Sequence, residues 1–339
     1  MSKIRVAING FGRIGRSAFK IAFERRDLEI VAINDLSDNQ TLAYLLKNDS
    51  NYGVYHHEVS SNSDSIVVDS QTIKALSERD PAKLPWGALG VDVVIESTGI
   101  FRKTEDARKH IEAGAKRVII SAPAKDDQTQ TIVLGVNDDK LAEAGEVVSN
   151  ASCTTNSLGA AMAVLDREFG VEKSMLTTVH SYTASQSLQD GPAKDLRTGR
   201  NAAENIVPTS TGAAIAVAKA YPRLEGKFDG ISMRVPTPVV SISDVTALLS
   251  RKVTVEEVNT AFEEAAKQPF YQGILGVSKQ PLVSCDFKGN SYSGVVDLPL
   301  TRVVDGDLVK ICVWYDNEWG YSNRLVELVA DVGKSMQSS

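Results

Sequence analysis

Cys153 lies in the run Ala-Ser-Cys-Thr-Thr-Asn (151–156), where helix-capping residue types precede a segment of helical apolar spacing. A thiol at the positive end of a helix is expected to lose its proton more easily, because the dipole stabilises thiolate. His180, one of four histidines, ends a β-prone run over 175–180 and lies 27 residues after the cysteine. One helix out and one strand back would return the imidazole to the thiol. Such a Cys–His pair can form a nucleophile and shuttle its proton. The residues alone leave two readings of Cys153 open, an activated nucleophile or a small buried hydrophobe. Cys285 and Cys312, in strand-like runs, are read as buried hydrophobes. His56, His57 and His110 are read as ordinary hydrogen-bonded polar residues.

A second run with chemical content is Gly10-Phe11-Gly12-Arg13-Ile14-Gly15, between a strand pattern and a helix pattern. In that context the first glycine permits a tight turn, the second lets backbone approach a pyrophosphate, and the third allows close helix–strand packing. N–H groups and the helix dipole then favour a diphosphate. Asp35, 20 residues beyond Gly15 and at the end of the next strand pattern, suits ribose hydroxyls and repels a 2′-phosphate. The expected cofactor is therefore NAD rather than NADP.

These residues need elements to position them. Residues 3–8, 13–25 and 28–33 read as strand, helix and strand, the opening of a parallel doubly wound sheet. A helix over 38–47, a β-rich stretch over 54–76, strands at 91–96, 117–121, 131–134 and 147–149, and a helix over 104–113 continue it. After 150 the pattern changes. A helix over 154–169, with Leu158, Met162 and Leu165 inward, precedes the strand 175–180 and a long polar segment over 181–203. A structureless stretch of that length inside a domain is usually functional. Helices at 211–220, 255–267 and 322–336 flank strand candidates at 230–236, 239–250, 282–286, 293–297 and 308–315. The expected fold is α/β, an N-terminal Rossmann doubly wound parallel sheet plus an α+β catalytic domain with a mostly antiparallel sheet. Residues 1–150, completed by a C-terminal helix over 318–339, form the NAD-binding domain, and 151–317 the catalytic domain.

Bulk properties bound the rest. A chain of 339 residues exceeds the usual size of a single core. A net charge of -6 argues against a sequence-wide nucleic-acid surface. Three cysteines without CxxC spacing make neither a disulfide framework nor a zinc site, so no metal is expected. The start of the chain shows no secretory h-region, and no apolar run approaches the roughly 18–20 residues that span a bilayer. A cytoplasmic setting without membrane partners is the expectation.

Six runs together resemble the glyceraldehyde-3-phosphate dehydrogenase family. They are Ile-Asn-Gly-Phe-Gly-Arg-Ile-Gly-Arg (8–16), Ser-Asn-Ala-Ser-Cys-Thr-Thr-Asn (149–156), Thr-Thr-Val-His-Ser-Tyr-Thr (177–183), Pro-Thr-Ser-Thr-Gly-Ala-Ala (208–214), Arg-Val-Pro-Thr-Pro (234–238) and Trp-Tyr-Asp-Asn-Glu-Trp-Gly-Tyr-Ser (314–322). They occur in the family's order over almost the whole chain. The resemblance implies oxidative phosphorylation of glyceraldehyde 3-phosphate to 1,3-bisphosphoglycerate. The Cys153 thiolate would form a hemithioacetal and then a thioester, with His180 taking the proton. It further implies Asn317 on the nicotinamide amide, and Arg13, Ile14, Arg79 and Ser121 around the dinucleotide. Thr183 and Arg234 would hold the substrate phosphate, and Ser152, Thr154, Thr211 and Gly212 the inorganic phosphate. It implies a homotetramer with 181–203 near a subunit interface.

Two departures stand out. Ser157 occupies a position where many members carry a second cysteine. Arg197-Thr198 replaces a pair of arginines found in some bacterial members, which leaves an anion contact open between Arg197, Thr198 and Arg200. The rival readings are erythrose-4-phosphate dehydrogenase within the superfamily and a non-catalytic binding protein that keeps the fold. Gly191-Pro192 fits the NAD-using members.

Overall fold

The computed structural model describes residues 2–337. They form two compact units. One contains the chain up to Ile132, Asp139–Ala151 and the residues from Ser322 onward; the other contains Val133–Asp138 and Ser152–Tyr321.

The sheet of the first unit runs Gln130–Thr131, Val147–Ser149, Arg117–Ile120, Val93–Glu96, Ile4–Asn9, Leu28–Asn34, Gln71–Leu76, Ser65–Val68, Val59–Ser61. Pairing is parallel from the first of these to Gln71–Leu76, and the last two strands add an antiparallel edge. Val93–Glu96 is buried at every position, as a strand covered on both faces must be. Ala7, Ala32, Val94, Val118 and Ile120 pack with Trp86 and Leu84 in one apolar cluster. Each fully buried valine, leucine or isoleucine there contributes about 1.5–3 kcal/mol. The helix Arg13–Phe23 follows the first strand directly, so the glycine run makes the strand-to-helix turn.

The sheet of the second unit runs Val207–Ser210, Phe228–Val235, Val171–Ser181, Ser241–Leu249, Leu308–Tyr315, Gly294–Asp297, Leu275–Ser278. It is mostly antiparallel, with parallel pairs at each side. Burial alternates strictly along Ser241–Leu249, so one face packs and the other looks out. The helix Cys153–Phe169 is buried over nearly its whole circumference, which suits a central rod.

Several elements depart from the sequence expectation. The apolar run 282–286 is no strand: Asp286 Oδ2 accepts from Val283 N at 2.8 Å, and Ser284–Phe287 winds as a 3-10 turn. A local side-chain bond has outcompeted a ladder. Cys285 is consequently exposed rather than buried, whereas Cys312 is buried. The strand expected over 131–134 stops at Thr131, and Asn137 Oδ1 captures Val133 N at 2.8 Å. The helix expected over 104–113 divides at Arg108 into Thr104–Ala107 and Lys109–Glu112. The strand Val207–Ser210 lies just beyond the polar segment. The C-terminal helix is Trp319–Gln337, begun where Asp316 Oδ1 accepts from the N–H groups of Glu318 and Trp319. Residues 338–339 of the expected helix lie outside the described residues.

Candidate active site

In the second unit, local chemistry starts the central helix at the right residue. Ser152 is its N-cap, with Oγ accepting from Thr155 N at 3.1 Å, and this fixes Cys153 at the first helical position. Strand register then brings the partners. In the parallel pair Val171–Ser181 and Phe228–Val235, His180 stands opposite Arg234. His180 Nε2 lies 3.5 Å from Cys153 Sγ. Its Nδ1 lies 2.8 Å from the Ser181 carbonyl and 3.0 Å from Arg234 Nη1. The carbonyl only accepts and the guanidinium only donates, so the two contacts ask opposite roles of Nδ1; we take the tautomer with the proton on Nδ1, toward the carbonyl. The Nε2 lone pair then faces the thiol. Arg234 Nη1 also donates to Ser181 O at 3.1 Å and to Thr183 Oγ1 at 3.5 Å.

Burial dominates the electrostatics of this pair. It pushes the Cys153 thiol above its ordinary pKa, although Arg234, the Thr154 hydroxyl and the N–H groups of Cys153 and Thr154 all favour thiolate. The expected acidification is therefore present in its parts and outweighed in the sum. Burial, and then the Arg234 charge, lower His180 to about 3. The resting pair is a neutral thiol beside a neutral imidazole. The sign for stability follows. Between about pH 6.5 and 3 the unfolded chain binds a proton that folded His180 refuses, so this group removes stability as pH falls through that window. The contribution should reach about 2 kcal/mol at pH 5. His180→Asn should flatten the acid limb by that amount in denaturant titrations; parallel acid limbs would contradict it.

Behind the pair, Tyr315 Oη bonds both Thr154 Oγ1 at 2.9 Å and Thr178 Oγ1 at 2.8 Å, and its ring stands edge-on to His180. Thr154 Oγ1 is thus tied to the core through Tyr315 while its hydroxyl also favours the thiolate. Ser152 Oγ likewise sits 2.7 Å from Thr155 Oγ1. Asn317 is clamped through Oδ1, which accepts from Ser181 Oγ at 2.9 Å and Ser241 Oγ at 3.2 Å. Ser241 follows Val240, whose φ of +74° is a left-handed conformation rare for a β-branched residue. Thr211 Oγ1 accepts from Ala213 N at 3.2 Å, and Gly212 caps the helix Ala213–Ala220. Neither hydrogen-bonds to the Cys153 group. In the polar segment Arg200 Nε is paired with Asp190 at 3.0 Å, and Thr198 Oγ1 donates to Asp195 O. Arg197 is exposed, and its guanidinium pairs with no described residue.

In the first unit, the glycine run has the geometry its sequence suggests. Gly10 has φ +90°, and a Cβ there would meet Thr98 N at 2.6 Å; one on Gly15 would meet Gly10 O at 2.1 Å. Gly12, the helix N-cap, has open space around it. These residues fit a dinucleotide pyrophosphate: an unobstructed helix N-terminus beside a backbone no side chain shields. Asp35 accepts from Phe11 N at 2.8 Å and Ser37 N at 3.0 Å, so it also ties the loop to the next strand. Arg13 is salt-bridged to Asp49 at 2.9 Å, and Ile14 is half-buried. Arg79 is exposed in a turn that Asn34 pins through Glu78 N and O. Ser121 N donates to Glu96 O at 2.9 Å. The glycine run, Asp35, Arg79 and Ser121 all lie at the C-terminal ends of parallel strands, where such sheets bind ligands.

Beneath that edge lies a buried network that the sequence did not announce. Asn9 Nδ2 donates to Glu96 Oε2 at 2.6 Å, His110 Nε2 lies 3.0 Å from the same oxygen, and Trp86 Nε1 donates to His110 Nδ1 at 2.9 Å. The indole can only donate, so His110 carries its proton on Nε2. Ser97 Oγ donates to Gly10 O at 2.6 Å. Together these bonds hold two strand ends and the glycine turn in place.

A dinucleotide-type sheet edge and a thiol–imidazole pair are features of an NAD-dependent oxidoreductase. Residues 4–104 match the description "Glyceraldehyde 3-phosphate dehydrogenase, NAD binding domain", and 152–317 match "Glyceraldehyde 3-phosphate dehydrogenase, C-terminal domain". The chain is 56% identical to a glyceraldehyde-3-phosphate dehydrogenase of Streptomyces coelicolor, over 98% of this chain and 99% of the relative. It is 55% identical to one of Geobacillus stearothermophilus, over 96% and 97%, and 54% identical to glyceraldehyde-3-phosphate dehydrogenase 1 of Bacillus subtilis, over 98% of each. The chain belongs to the glyceraldehyde-3-phosphate dehydrogenase family.

Proposed function

We propose that this chain oxidises glyceraldehyde 3-phosphate with NAD and inorganic phosphate, giving 1,3-bisphosphoglycerate through a thioester on Cys153. The observation that carries the reading is the 3.5 Å approach of His180 Nε2 to Cys153 Sγ at a helix N-terminus. NAD supplies the hydride acceptor when bound. Sγ adds to the aldehyde carbon, and the thiol proton passes through His180 Nε2 to the new hydroxyl. As hydride leaves that carbon, Nε2 takes the hydroxyl proton and the adduct becomes a thioester. Inorganic phosphate then attacks the acyl carbon, and the proton on Nε2 returns to the departing sulfur. The Asn317 NH2, left as donor by the clamp on Oδ1, is assigned to the nicotinamide carboxamide.

Thr183 and Arg234 are assigned to the substrate phosphate. Arg234 lies beside His180 Nδ1, so a dianion on the guanidinium offsets the charge that depresses the imidazole and makes Nε2 a stronger base. The substrate's remote group thereby assists the proton transfer. For inorganic phosphate, the hydroxyls of Ser152 and Thr154 are turned to internal partners, which favours their backbone N–H groups, Thr211, Gly212 and the unpaired guanidinium of Arg197. Assembly as a homotetramer belongs to the same reading. It is supported by Met175, Ile215, Ile231 and Leu308, which are exposed on the second unit, three of them around or beside a groove of about 1030 Å³. Among the described residues no helix is long and apolar enough to cross a membrane, and the three cysteines are free, in keeping with a cytoplasmic setting.

The test is a dehydrogenase assay with NAD and NADP, glyceraldehyde 3-phosphate and erythrose 4-phosphate, at varied phosphate. Activity independent of phosphate, or faster with the four-carbon aldehyde, would overturn the assignment. Arg234→Ala should raise the KM for the aldehyde phosphate by roughly 10–100-fold, the worth of about 1.5–3 kcal/mol of charge-assisted hydrogen bonding. An unchanged KM would remove Arg234 from the substrate site.

A further inference from the structure

The first unit carries a histidine pair that the dehydrogenase reaction does not use. Glu24 follows the helix Arg13–Phe23 as its C-cap, and His56 and His57 sit at a bend before the strand Val59–Ser61. Adjacent residues on a regular strand would point to opposite faces. At this bend both imidazoles turn to one carboxylate instead: Glu24 Oε1 lies 3.3 Å from His56 Nε2 and 2.6 Å from His57 Nε2. The three potential ligand atoms all lie within 4.8 Å of one another. We propose that Glu24, His56 and His57 form a binding site for a divalent transition cation, with zinc as the best match to two imidazole nitrogens and one carboxylate oxygen.

Geometry supports this beyond the cluster itself. Ligands at about 2.0–2.1 Å around tetrahedral zinc stand roughly 3.3–3.5 Å apart. The His56–Glu24 separation already has that value, and the shorter His57–Glu24 contact has only to open by a fraction of an ångström. His57 is also held from behind. Its Nδ1 lies 2.7 Å from Asp69 Oδ2, the carboxylate–histidine arrangement that orients a metal-binding imidazole and makes it a stronger donor. Phe23 and Tyr55 pack edge-on to the same ring at 5.0 and 4.9 Å, and Lys47 Nζ holds the His57 carbonyl at 2.7 Å. His56, the outer ligand, is largely exposed, which leaves an entry path and a water position. A bound ion would join the end of the helix to the hairpin that carries Asp69.

The experiment uses the full-length folded protein with its accessible thiols carboxymethylated, so that exposed cysteine sulfur does not compete for the metal. Zinc binding is measured by equilibrium dialysis and thermal unfolding is followed at rising zinc. Wild type should bind one more zinc per chain than His56→Ala or His57→Ala, with an upward shift in Tm that both variants lack. Asp69→Asn should keep the site and weaken it by about 10–100-fold. His56→Ala alters an exposed side chain, so its result does not depend on refolding around a cavity. Equal zinc content in wild type and His56→Ala, or an equal Tm shift in both, would overturn the site. Dehydrogenase activity plays no part in this readout, so its outcome is distinguishable from failure of the catalytic assignment.

Discussion

Cys153→Ser should leave a folded chain whose kcat is lower by at least about 10⁴-fold. Serine fits the same space and can still donate to His180 Nε2, so binding and fold are conserved while the nucleophile is exchanged. The hydroxyl is a much weaker acid than the thiol. The site holds even the thiol above its ordinary pKa, through burial. A base lowered to about 3 has no means of activating serine. The decisive measurement is rapid mixing of stoichiometric aldehyde phosphate without inorganic phosphate. Wild type should release one NADH per active site in a burst, since the thioester forms once and waits. The serine variant should show no burst. A variant that kept more than a hundredth of wild-type turnover would end the covalent mechanism.

His180→Asn should lower kcat by roughly 10²–10⁴-fold, the usual range for a positioned proton acceptor. Asparagine can keep a bond near the Ser181 carbonyl but has nothing in the place of Nε2. The thiol must then ionise to solvent, so the residual rate should climb about tenfold per pH unit to beyond the ordinary thiol pKa. Wild type should lack that steep limb, because proton transfer inside the pair does not wait for hydroxide. A variant with wild-type kcat and an unchanged pH profile would show that the imidazole is a bystander.

What the sequence made legible was chiefly local. The helix start at Ser152–Cys153 could be read because a cap is a contact between neighbours in the chain, as is the glycine turn at 10–15. Contacts made by strand pairing left no such mark. Arg234 reaches His180 only through the register of two parallel strands, and the resemblance, not the spacing, singled it out. Tyr315 meets Thr154 on the central helix and Thr178 on a strand, both far from it in the chain, and nothing nearby distinguishes it from a core tyrosine. His110 is the hydrogen-bonded polar residue its sequence suggests, yet its partners Trp86 and Glu96 lie out of reach of any periodicity. His56 and His57 look the same in the sequence, and only the bend brings them to one carboxylate. The two misplaced strands have one cause. At 282–286 and 131–134 the apolar runs look like strands, but a side-chain oxygen one turn away takes the N–H a ladder would need. Apolar pattern reports burial, whereas those bonds decide where pairing ends. The thiol's net pKa was illegible for a related reason: dipole and arginine are visible in motifs, whereas the depth of burial that outweighs them is a property of the folded whole.

The left-handed valine at position 240 places backbone strain beside the Asn317 clamp. Such a conformation stores about 1–3 kcal/mol, which glycine would release. Yet the turn it makes delivers Ser241 to the oxygen of Asn317. Glycine takes the same φ without strain, so the turn and the Ser241–Asn317 bond do not depend on the valine side chain, whose 2% exposure marks it as part of the core.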